Sequence, residues 1–280
     1  MSMKVLETAK EMLAYAGQMR SAKKTIGFVP TMGALHAGHE SLIENAKLRC
    51  DVVVVSVFVN PTQFNQISDL EKYPRTFEAD RDKLKNLNVD VMFYPSIKEV
   101  YPNGTNTVYE LDGLDKLMEG PNRPGHFNGV VQVVMRLFDL TEPTKAFFGE
   151  KDFQQLTIIR HMTRKLGYKV DIVGCPTIRE EDGLAMSSRN VRLLEEGRKL
   201  APLIYVTLRK VQEEISSSGL NIAKNNAVQV LTQIDGVELE YLELVNPQTL
   251  EIATEKSEQI QACIAVWIEH VRLIDNMRVK

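Results

Sequence analysis

The sequence predicts an α/β protein: a Rossmann-like parallel sheet with helices on both faces, followed by a smaller α+β C-terminal unit. Three observations predict it. Residues 52–59, Val-Val-Val-Val-Ser-Val-Phe-Val, are β-branched or apolar at almost every position. A strand apolar on both faces needs helices on both sides, as in a parallel sheet. Strand-like segments then alternate with amphipathic helical ones as far as residue 173, the pattern of successive βαβ units. Past about residue 176 the alternation gives way to two helical segments and then strands joined by turns.

Taken in chain order, residues 3–20 read as a short strand and a helix, and Lys24–Val29 as a strand ending at Pro30. A glycine-containing loop leads to a helix that begins near Gly38 or His39. After the 52–59 strand, residues 76–87 suit a helix and Val89–Tyr94 a strand. Gly129–Leu140 is an amphipathic helix, Lys145–Phe148 a strand, Asp152–Leu166 a helix and Lys169–Val173 a strand. Leu193–Ser217 reads as one long helix stopped by Ser216-Ser217-Ser218-Gly219, and Asn221–Ile234 as another. Val237–Val245, Ile260–His270 and the last few residues read as strands. The division falls at residue 176, giving a Rossmann-like domain over 1–176 and a smaller domain over 177–280. In a doubly wound sheet the crossovers are right-handed and ligands bind beyond the C-terminal strand ends.

Composition excludes several classes of function. The chain of 280 residues is 44% hydrophobic and 25% charged, as in soluble globular proteins. Its formal net charge of -3 offers no broad basic field, so nucleic acid is not an expected partner. Cys50, Cys175 and Cys263 are odd in number, widely spaced and contain no CxxC pair. That suggests neither a zinc site nor a disulfide framework, but buried thiols in a reducing compartment. The opening MSMKVLETAK lacks the apolar core of a signal peptide, and the 52–59 run is far too short to span a bilayer. The expectation is a cytoplasmic protein with no membrane partner.

Five segments carry candidate chemistry. Pro30-Thr31-Met32-Gly33-Ala34-Leu35-His36-Ala37-Gly38-His39 lies between a predicted strand and a predicted helix. A helix N-terminus offers unpaired N–H groups and a positive dipole end that suit phosphate. Gly38 removes a side chain that would hold phosphate off the backbone, and His36 and His39 can donate to phosphate oxygens as charge builds on a leaving pyrophosphate. Neither GxxxxGK[ST] nor GxGxxG occurs. Phe148-Gly149-Glu150-Lys151-Asp152-Phe153-Gln154-Gln155 also follows a strand and opens a helix. Lys151 there can act as a phosphate point charge, Asp152 as a cap or a ribose acceptor, and Gln155 lies one turn further on. Taken alone, this segment reads as a charged helix cap.

Met186-Ser187-Ser188-Arg189-Asn190 offers two hydroxyls and a guanidinium, a plausible clamp for a triphosphate. In isolation it is a helix cap with Asn190 or Ser188 at the N-cap. The preceding Glu180-Glu181-Asp182-Gly183 suggests a mobile acidic turn. Asn60-Pro61-Thr62-Gln63-Phe64-Asn65 sits at the mouth of the buried strand, where the Gln63 amide could bind a hydroxyl or carboxylate, although Asn-Pro alone marks a turn. Pro121-Asn122-Arg123-Pro124-Gly125-His126-Phe127 carries two potential cations on a rigid loop, or is simply a connection. Trp267 reads as core or interface, and Lys83-Leu84-Lys85 as a solvated helix face.

The ordered set PTMGALHAGH, NPTQF, YPRT, RPGHF, FGEKD and MSSRN resembles the pantothenate synthetase (pantoate–β-alanine ligase) family, and its first member alone is similar to the wider HxGH nucleotidylyltransferase superfamily. The likeness covers roughly residues 3–195. It implies a Rossmann-like N-terminal domain, a small C-terminal lid, and a homodimer built through the N-terminal domains. It also implies ATP and Mg²⁺, with pantoate and β-alanine as substrates. Matched motif by motif, the ATP cradle is Met32, Gly33, Ala34, Leu35, His36, Ala37, Gly38 and His39, then Gly149, Glu150, Lys151 and Asp152, then Ile178 with Met186, Ser187, Ser188 and Arg189. His36, His39, Lys151 and Arg189 are the implied catalytic groups, His39 as proton donor. Gln63 and Gln155 match the pantoate-binding glutamines, Gln63 also near β-alanine. Asn60, Tyr73, Arg123 and His126 match the surrounding pocket, and metal ligands stay unassigned. The implied reaction forms a pantoyl-adenylate and passes the acyl group to an amine. Two other readings stand beside it: a nucleotidylyltransferase that stops at its nucleotidylated product, and an ATP-binding sensor or scaffold without turnover.

Overall fold

In a computed structural model, residues 3–64, 67–105 and 107–280 are described, residues 67–69 in their backbone only. Met1, Ser2 and Asn65, the last residue of the 60–65 segment, lie outside that description. The chain divides into two compact units. The first comprises Met1–Asp115, Glu119–Glu150 and Ile158–Pro176; the second comprises Thr177–Lys280 together with Lys116–Met118 and Lys151–Thr157. A boundary drawn along the sequence at 176 therefore leaves two short segments on the wrong side.

The first unit runs β1 (Lys4–Leu6), α1 (Ala9–Ser21), β2 (Ile26–Thr31), α2 (Ala37–Lys47), β3 (Val52–Val57), α3 (Ile67–Lys72), α4 (Phe77–Asn86), β4 (Val91–Phe93), α5 (Ile97–Val100), α6 (Glu119–Asn122), α7 (His126–Thr141), β5 (Lys145–Gly149), the part of α8 (Phe153–Lys165) from Ile158 onward, and β6 (Asp171–Cys175). The strand order is β1-β4-β3-β2-β5-β6, every pairing parallel. From β2 the chain builds outward through β3 and β4, then returns to add β5 and β6 on the other side. The switch point, where such sheets open a crevice at their C-terminal edge, is therefore between β2 and β5.

All six residues of β3 are buried. Val53, Val55 and Val57 join Leu42, Ile43 and Ala46 of α2 and Leu84 of α4 in one cluster. On the opposite face Phe28 meets Phe138 of α7 edge-on, with ring centroids 6.2 Å apart. Burying one such Val, Leu or Phe contributes roughly 1.5–3 kcal/mol, so the two-sided β3 run anchors the unit. Leu84 is fully buried, and Lys83 donates from Nζ to the Leu35 carbonyl at 2.9 Å and pairs with Glu40 at 2.9 Å. The 83–85 run is thus no simple solvated face: its middle residue is core and its first holds the 32–39 turn.

Strand β2 does not stop before Pro30 but runs through it, pairing Pro30 with Ser56 and Thr31 with Val57. Ile26 O accepts from Thr144 N on the β5 side, and strand alternation turns position 30 to that same side. There the pairing with β5 covers only Gly27 and Phe28, so the missing proline N–H removes no bond of the recorded ladder. Helix α7 begins three residues before its expected start at Gly129. Its polar residues stand a turn apart and collect carbonyls of the preceding segment. Asn128 Nδ2 donates to Tyr109 O at 2.9 Å, Gln132 Nε2 to Thr105 O and Thr107 O at 2.8 and 2.7 Å, and Arg136 Nε to Val100 O at 2.8 Å.

In the second unit the expected long helix is two: α9 (Glu195–Leu200) and α10 (Leu203–Ser218), separated at Ala201-Pro202. Pro202 lacks the N–H that would continue α9, and it starts α10 instead. Helix α11 (Leu220–Thr232) follows, with strands β7 (Val237–Val245), β8 (Gln261–Ile268) and β9 (Val271–Arg278) in an antiparallel sheet of order β7-β8-β9. Leu208, Val211 and Ile215 of α10 and Ala227 and Leu231 of α11 share a core with Leu242, Leu244, Ile264, Val266 and Leu273 of the sheet. Trp267 donates Nε1–H to Glu240 at 3.0 Å. No disulfide joins the three cysteines among the described residues.

Candidate active site

The turn between β2 and α2 is held from below by backbone and carboxylate. Thr31 Oγ1 donates to Ser56 O at 2.7 Å and accepts from Gly33 N at 3.2 Å. Gly33 and Ala34 both have left-handed φ, +86° and +50°, a conformation that costs a non-glycine residue about 1–2 kcal/mol. The buried Asp80 carboxylate offsets it, accepting Ala34 N–H at 3.0 Å and Leu35 N–H at 2.8 Å while Thr76 Oγ1 donates to it at 2.9 Å. A Cβ on Gly33 would stand 3.0 Å from that carboxylate. Met32, Ala34 and His36 are half-buried along this turn, Leu35 is buried and Ala37 is exposed.

His36 is the N-cap of α2, with Nδ1 accepting Gly38 N–H at 3.1 Å; His39 Nδ1 in turn accepts His36 N–H at 3.3 Å. This is a capping box written in imidazoles instead of a hydroxyl and a carboxylate. The rings lie 4.1 Å apart, centroid to centroid, at 49°. A nitrogen that accepts carries no proton, so both rings take the tautomer with the proton on Nε2, which is then a donor. Gly38 is needed inside the protein itself, since a Cβ there would lie 2.8 Å from His36 Cε1.

The segment after β3 is clamped onto the first turn of α7. Asn60 is fully buried: its Nδ2 donates to Gly129 O at 3.1 Å, and its Oδ1 accepts from Thr62 Oγ1 at 3.1 Å and Tyr101 Oη at 2.9 Å. His126 Nδ1 lies 2.9 Å from Gln63 O and, facing a carbonyl, is the donor. A Cβ on Gly129 would fall 2.2 Å from Thr62 O. Asn60 and His126 thus engage backbone and position Gln63, which is half-buried in a single 3₁₀ turn, Pro61–Gln63. Tyr73 packs edge-on against Phe64, with centroids 5.5 Å apart. Arg123 reaches Glu119 at 3.5 Å within α6 and the loop after it.

Gly149 ends β5, and a Cβ there would meet no other atom within 4 Å. Packing does not require this glycine. Glu150 follows it in the first unit. Lys151 and Asp152, in the second unit, place Nζ and Oδ1 3.8 Å apart, and Gln155 is half-buried on the opening turn of α8.

Elsewhere in the second unit, Met186 N donates to Ile178 O at 2.9 Å, which makes 178–186 a hairpin that presents Ile178 beside the Met186–Arg189 segment. Arg179 supports it, binding both Asp275 oxygens at 2.6 and 3.0 Å and stacking 4.4 Å over Tyr205. The acidic turn of that hairpin, expected to be mobile, is tied by Arg198 to Asp182 at 2.5 Å and to Glu180 at 2.7 Å. Neither Ser188 nor Asn190 caps a helix. Asn190 Nδ2 donates to Glu180 at 2.8 Å and Ala185 O at 3.1 Å, and Ser187 Oγ accepts Arg189 N–H at 3.2 Å. The α9 N-terminus is capped from a distance, Glu269 accepting Leu194 N–H and Gly197 N–H, each at 3.0 Å.

Sequence reading missed Asp80, Arg179, Gln261 and Asn276. The first two are ordinary charged residues until a partner 45 or 96 residues away is known.

A doubly wound sheet with paired imidazoles capping the helix at its switch point defines an α/β nucleotide-binding protein of the HxGH kind. The Pantoate-beta-alanine ligase family model matches residues 4–278, and the chain belongs to that family. It is 46% identical over 277 residues to the pantothenate synthetase of Thermotoga neapolitana, covering 98% of this chain and 99% of the relative. It is 48% identical over 281 residues to that of Phocaeicola vulgatus, covering 99% and 100%. Among solved structures, pantothenate synthetase from Thermus thermophilus superposes with a TM-score of 0.91 at 43% identity, covering 99% of each chain. The pantoate-beta-alanine ligase of Francisella tularensis, solved with a β,γ-ATP compound and β-alanine, superposes at 0.83 with 37% identity, covering 99% of this chain and 98% of that one.

Proposed function

We propose that this chain joins (R)-pantoate to β-alanine with ATP, releasing AMP and pyrophosphate, through a pantoyl-adenylate held on the protein. A pantoate carboxylate oxygen attacks the α-phosphorus, and the bond to the β-phosphate oxygen breaks. The β-alanine amine then attacks the acyl carbon, loses a proton, and the carbonyl–AMP bond breaks. The observation that supports this most is the imidazole capping box: both Nδ1 atoms accept backbone N–H, so His36 and His39 have Nε2–H donors at the N-terminal end of α2. In this reading their Nε2–H groups donate hydrogen bonds to the departing pyrophosphate as charge builds on it, without giving up the proton. Gly149, which packing does not require, admits a phosphate close to the backbone. Lys151, Ser187, Ser188 and Arg189 bind phosphate oxygens, and Met32, Gly33, Ala34, Leu35, Ala37, Gly38, Glu150, Asp152, Ile178 and Met186 complete the ATP contacts. Gln63 and Gln155 bind pantoate, with Tyr73 and Arg123 around them.

Among the described residues, no group of three or more His, Cys, Asp and Glu side chains is placed to hold a metal. Mg²⁺ in this reading would accompany ATP and neutralise phosphate charge, with its ligands unassigned. No helix among the described residues is long and apolar enough to cross a membrane. The reading includes a cytoplasmic homodimer joined through the first unit, with the second unit acting as a lid that keeps water from the adenylate. The test is an assay of pyrophosphate and AMP release, first with pantoate alone and then with β-alanine added. Pantoate-dependent exchange of labelled pyrophosphate into ATP, with AMP release only when the amine is present, is the expected result. No pyrophosphate chemistry with pantoate would overturn the reading.

A further inference from the structure

Within the second unit, β9 carries a buried asparagine next to a buried aspartate, and the asparagine reaches the Lys151 turn. Asn276 pairs across the sheet with Cys263, and Gln261 with Arg278, so Gln261 and Asn276 are diagonal neighbours on one face. Gln261 Nε2 donates to Asn276 Oδ1 at 2.7 Å, and Asn276 Nδ2 donates to Lys151 O at 2.9 Å. Both side chains are buried, each 7% exposed. Asparagine is a poor strand former, and a buried amide is costly unless hydrogen-bonded. The Lys151 carbonyl can only accept, so the Asn276 amide turns its N–H₂ toward it, and Gln261 Nε2 satisfies the oxygen left at the other end. Holding the Lys151 carbonyl fixes the 151–152 peptide plane, and with it the root of a long flexible ammonium side chain.

From this geometry we infer that Asn276, held at its other end by Gln261, is a positioning residue for Lys151 that acts by fixing where that ammonium starts from. The inference rests on the proposed role of Lys151 toward ATP. Misplacing a charge-stabilising group by about an ångström costs on the order of 10- to 100-fold in rate. The experiment measures pantoate-dependent pyrophosphate exchange and the KM values of all three substrates for wild type, Asn276→Ala, Gln261→Ala, Lys151→Ala and the double variant Asn276→Ala/Lys151→Ala. Folding is followed by circular dichroism and thermal melting. Asn276→Ala is expected to lose roughly 10- to 100-fold in kcat/KM for ATP, with the pantoate and β-alanine KM values within about twofold. Gln261→Ala should shift the same parameter in the same direction by a smaller factor. In the Lys151→Ala background, Asn276→Ala should add no further loss, as expected for residues acting through one another. A merely structural role would lower the melting temperature and leave kcat/KM of the folded fraction unchanged, or give multiplicative losses in the double variant; either overturns the inference. If Asn276→Ala does not fold, an unchanged kcat/KM for ATP in Gln261→Ala overturns it. A harmless Lys151→Ala is the distinct outcome that sinks the underlying reading of Lys151, and this inference with it.

Discussion

The Asp80 carboxylate accepts the Leu35 N–H at 2.8 Å from 45 residues along the chain, and with the Ala34 and Lys83 bonds it joins α4 to the turn that carries both imidazoles. Ala34, beside it, is kept left-handed by the second oxygen. Asp80→Asn replaces an acceptor with an N–H₂ that faces N–H groups, and leaving buried donors unsatisfied costs about 1–3 kcal/mol. We expect a melting temperature lower by several degrees and kcat/KM for ATP reduced at least about tenfold. Calorimetry and pyrophosphate exchange on the same preparation check both; wild-type values in each would remove Asp80 from the design of the turn.

The two histidines separate by substitution. His36→Asn retains a side chain that can cap α2, so stability should stay within about 1 kcal/mol of wild type while the Nε2–H donor is gone. His39→Ala should slow adenylate formation by roughly 10²- to 10⁴-fold. Single-turnover measurement with pantoate and ATP reads both. Rates within threefold of wild type in a folded His39→Ala protein would remove this imidazole from the chemistry.

Gly129 sets two effects against each other. Alanine in the interior of α7 gains about 1 kcal/mol in helix propensity. Its Cβ would fall 2.2 Å from the Thr62 carbonyl, a backbone atom that cannot swing aside. Overpacking of that kind typically costs about 1–3 kcal/mol or more, so steric overlap wins. Gly129→Ala should be destabilised on denaturant titration and weakened in pantoate affinity, because Gln63 rides on the displaced turn. A variant more stable than wild type would contradict the clamp.

Acid should release the hairpin below Arg198. The Arg198 guanidinium holds the Asp182 carboxyl below its ordinary value of 3.8. A folded-state value lower than the unfolded one contributes stability that is present above about pH 4 and is lost as pH falls through the folded value. The Asp182 side chain is 37% exposed, and solvent screening keeps the contribution under about 1 kcal/mol. The melting-temperature gap between wild type and Asp182→Asn should be flat from pH 5 to 8 and close below pH 4. A gap that widens in acid would reverse the assignment.

Burial pushes the Cys175 thiol up to about 11 and raises that of Cys50 as well. At pH 7.5 the thiolate fraction of Cys175 is on the order of 10⁻³ or less. Ellman's reagent should modify Cys175 and Cys263 of the native protein only slowly, and all three thiols at once in denaturant. Three fast native thiols would show that these interiors are open.

Periodicity and composition alone determined the parallel sheet and the antiparallel strands of the C-terminal part, and they picked out the strand–helix junctions from which the proposed chemistry was read. These are local signals: a valine run apolar on both faces, glycine and histidine at a strand–helix junction, alternation of period. Strand β7 was legible to the residue, because a turn bounds it on each side. Pro30 and Pro202 were misweighed in opposite directions, since proline's effect depends on whether its missing N–H faced a partner, and only neighbouring strands or turns decide that. What the tertiary structure alone decided is which polar residue completes which loop. Asp80, Arg179, Glu269 and Asn276 each satisfy buried backbone or ionic groups far away in sequence. A hydrogen bond leaves no period in the chain to announce it, because its energy depends on a distance that exists only after folding.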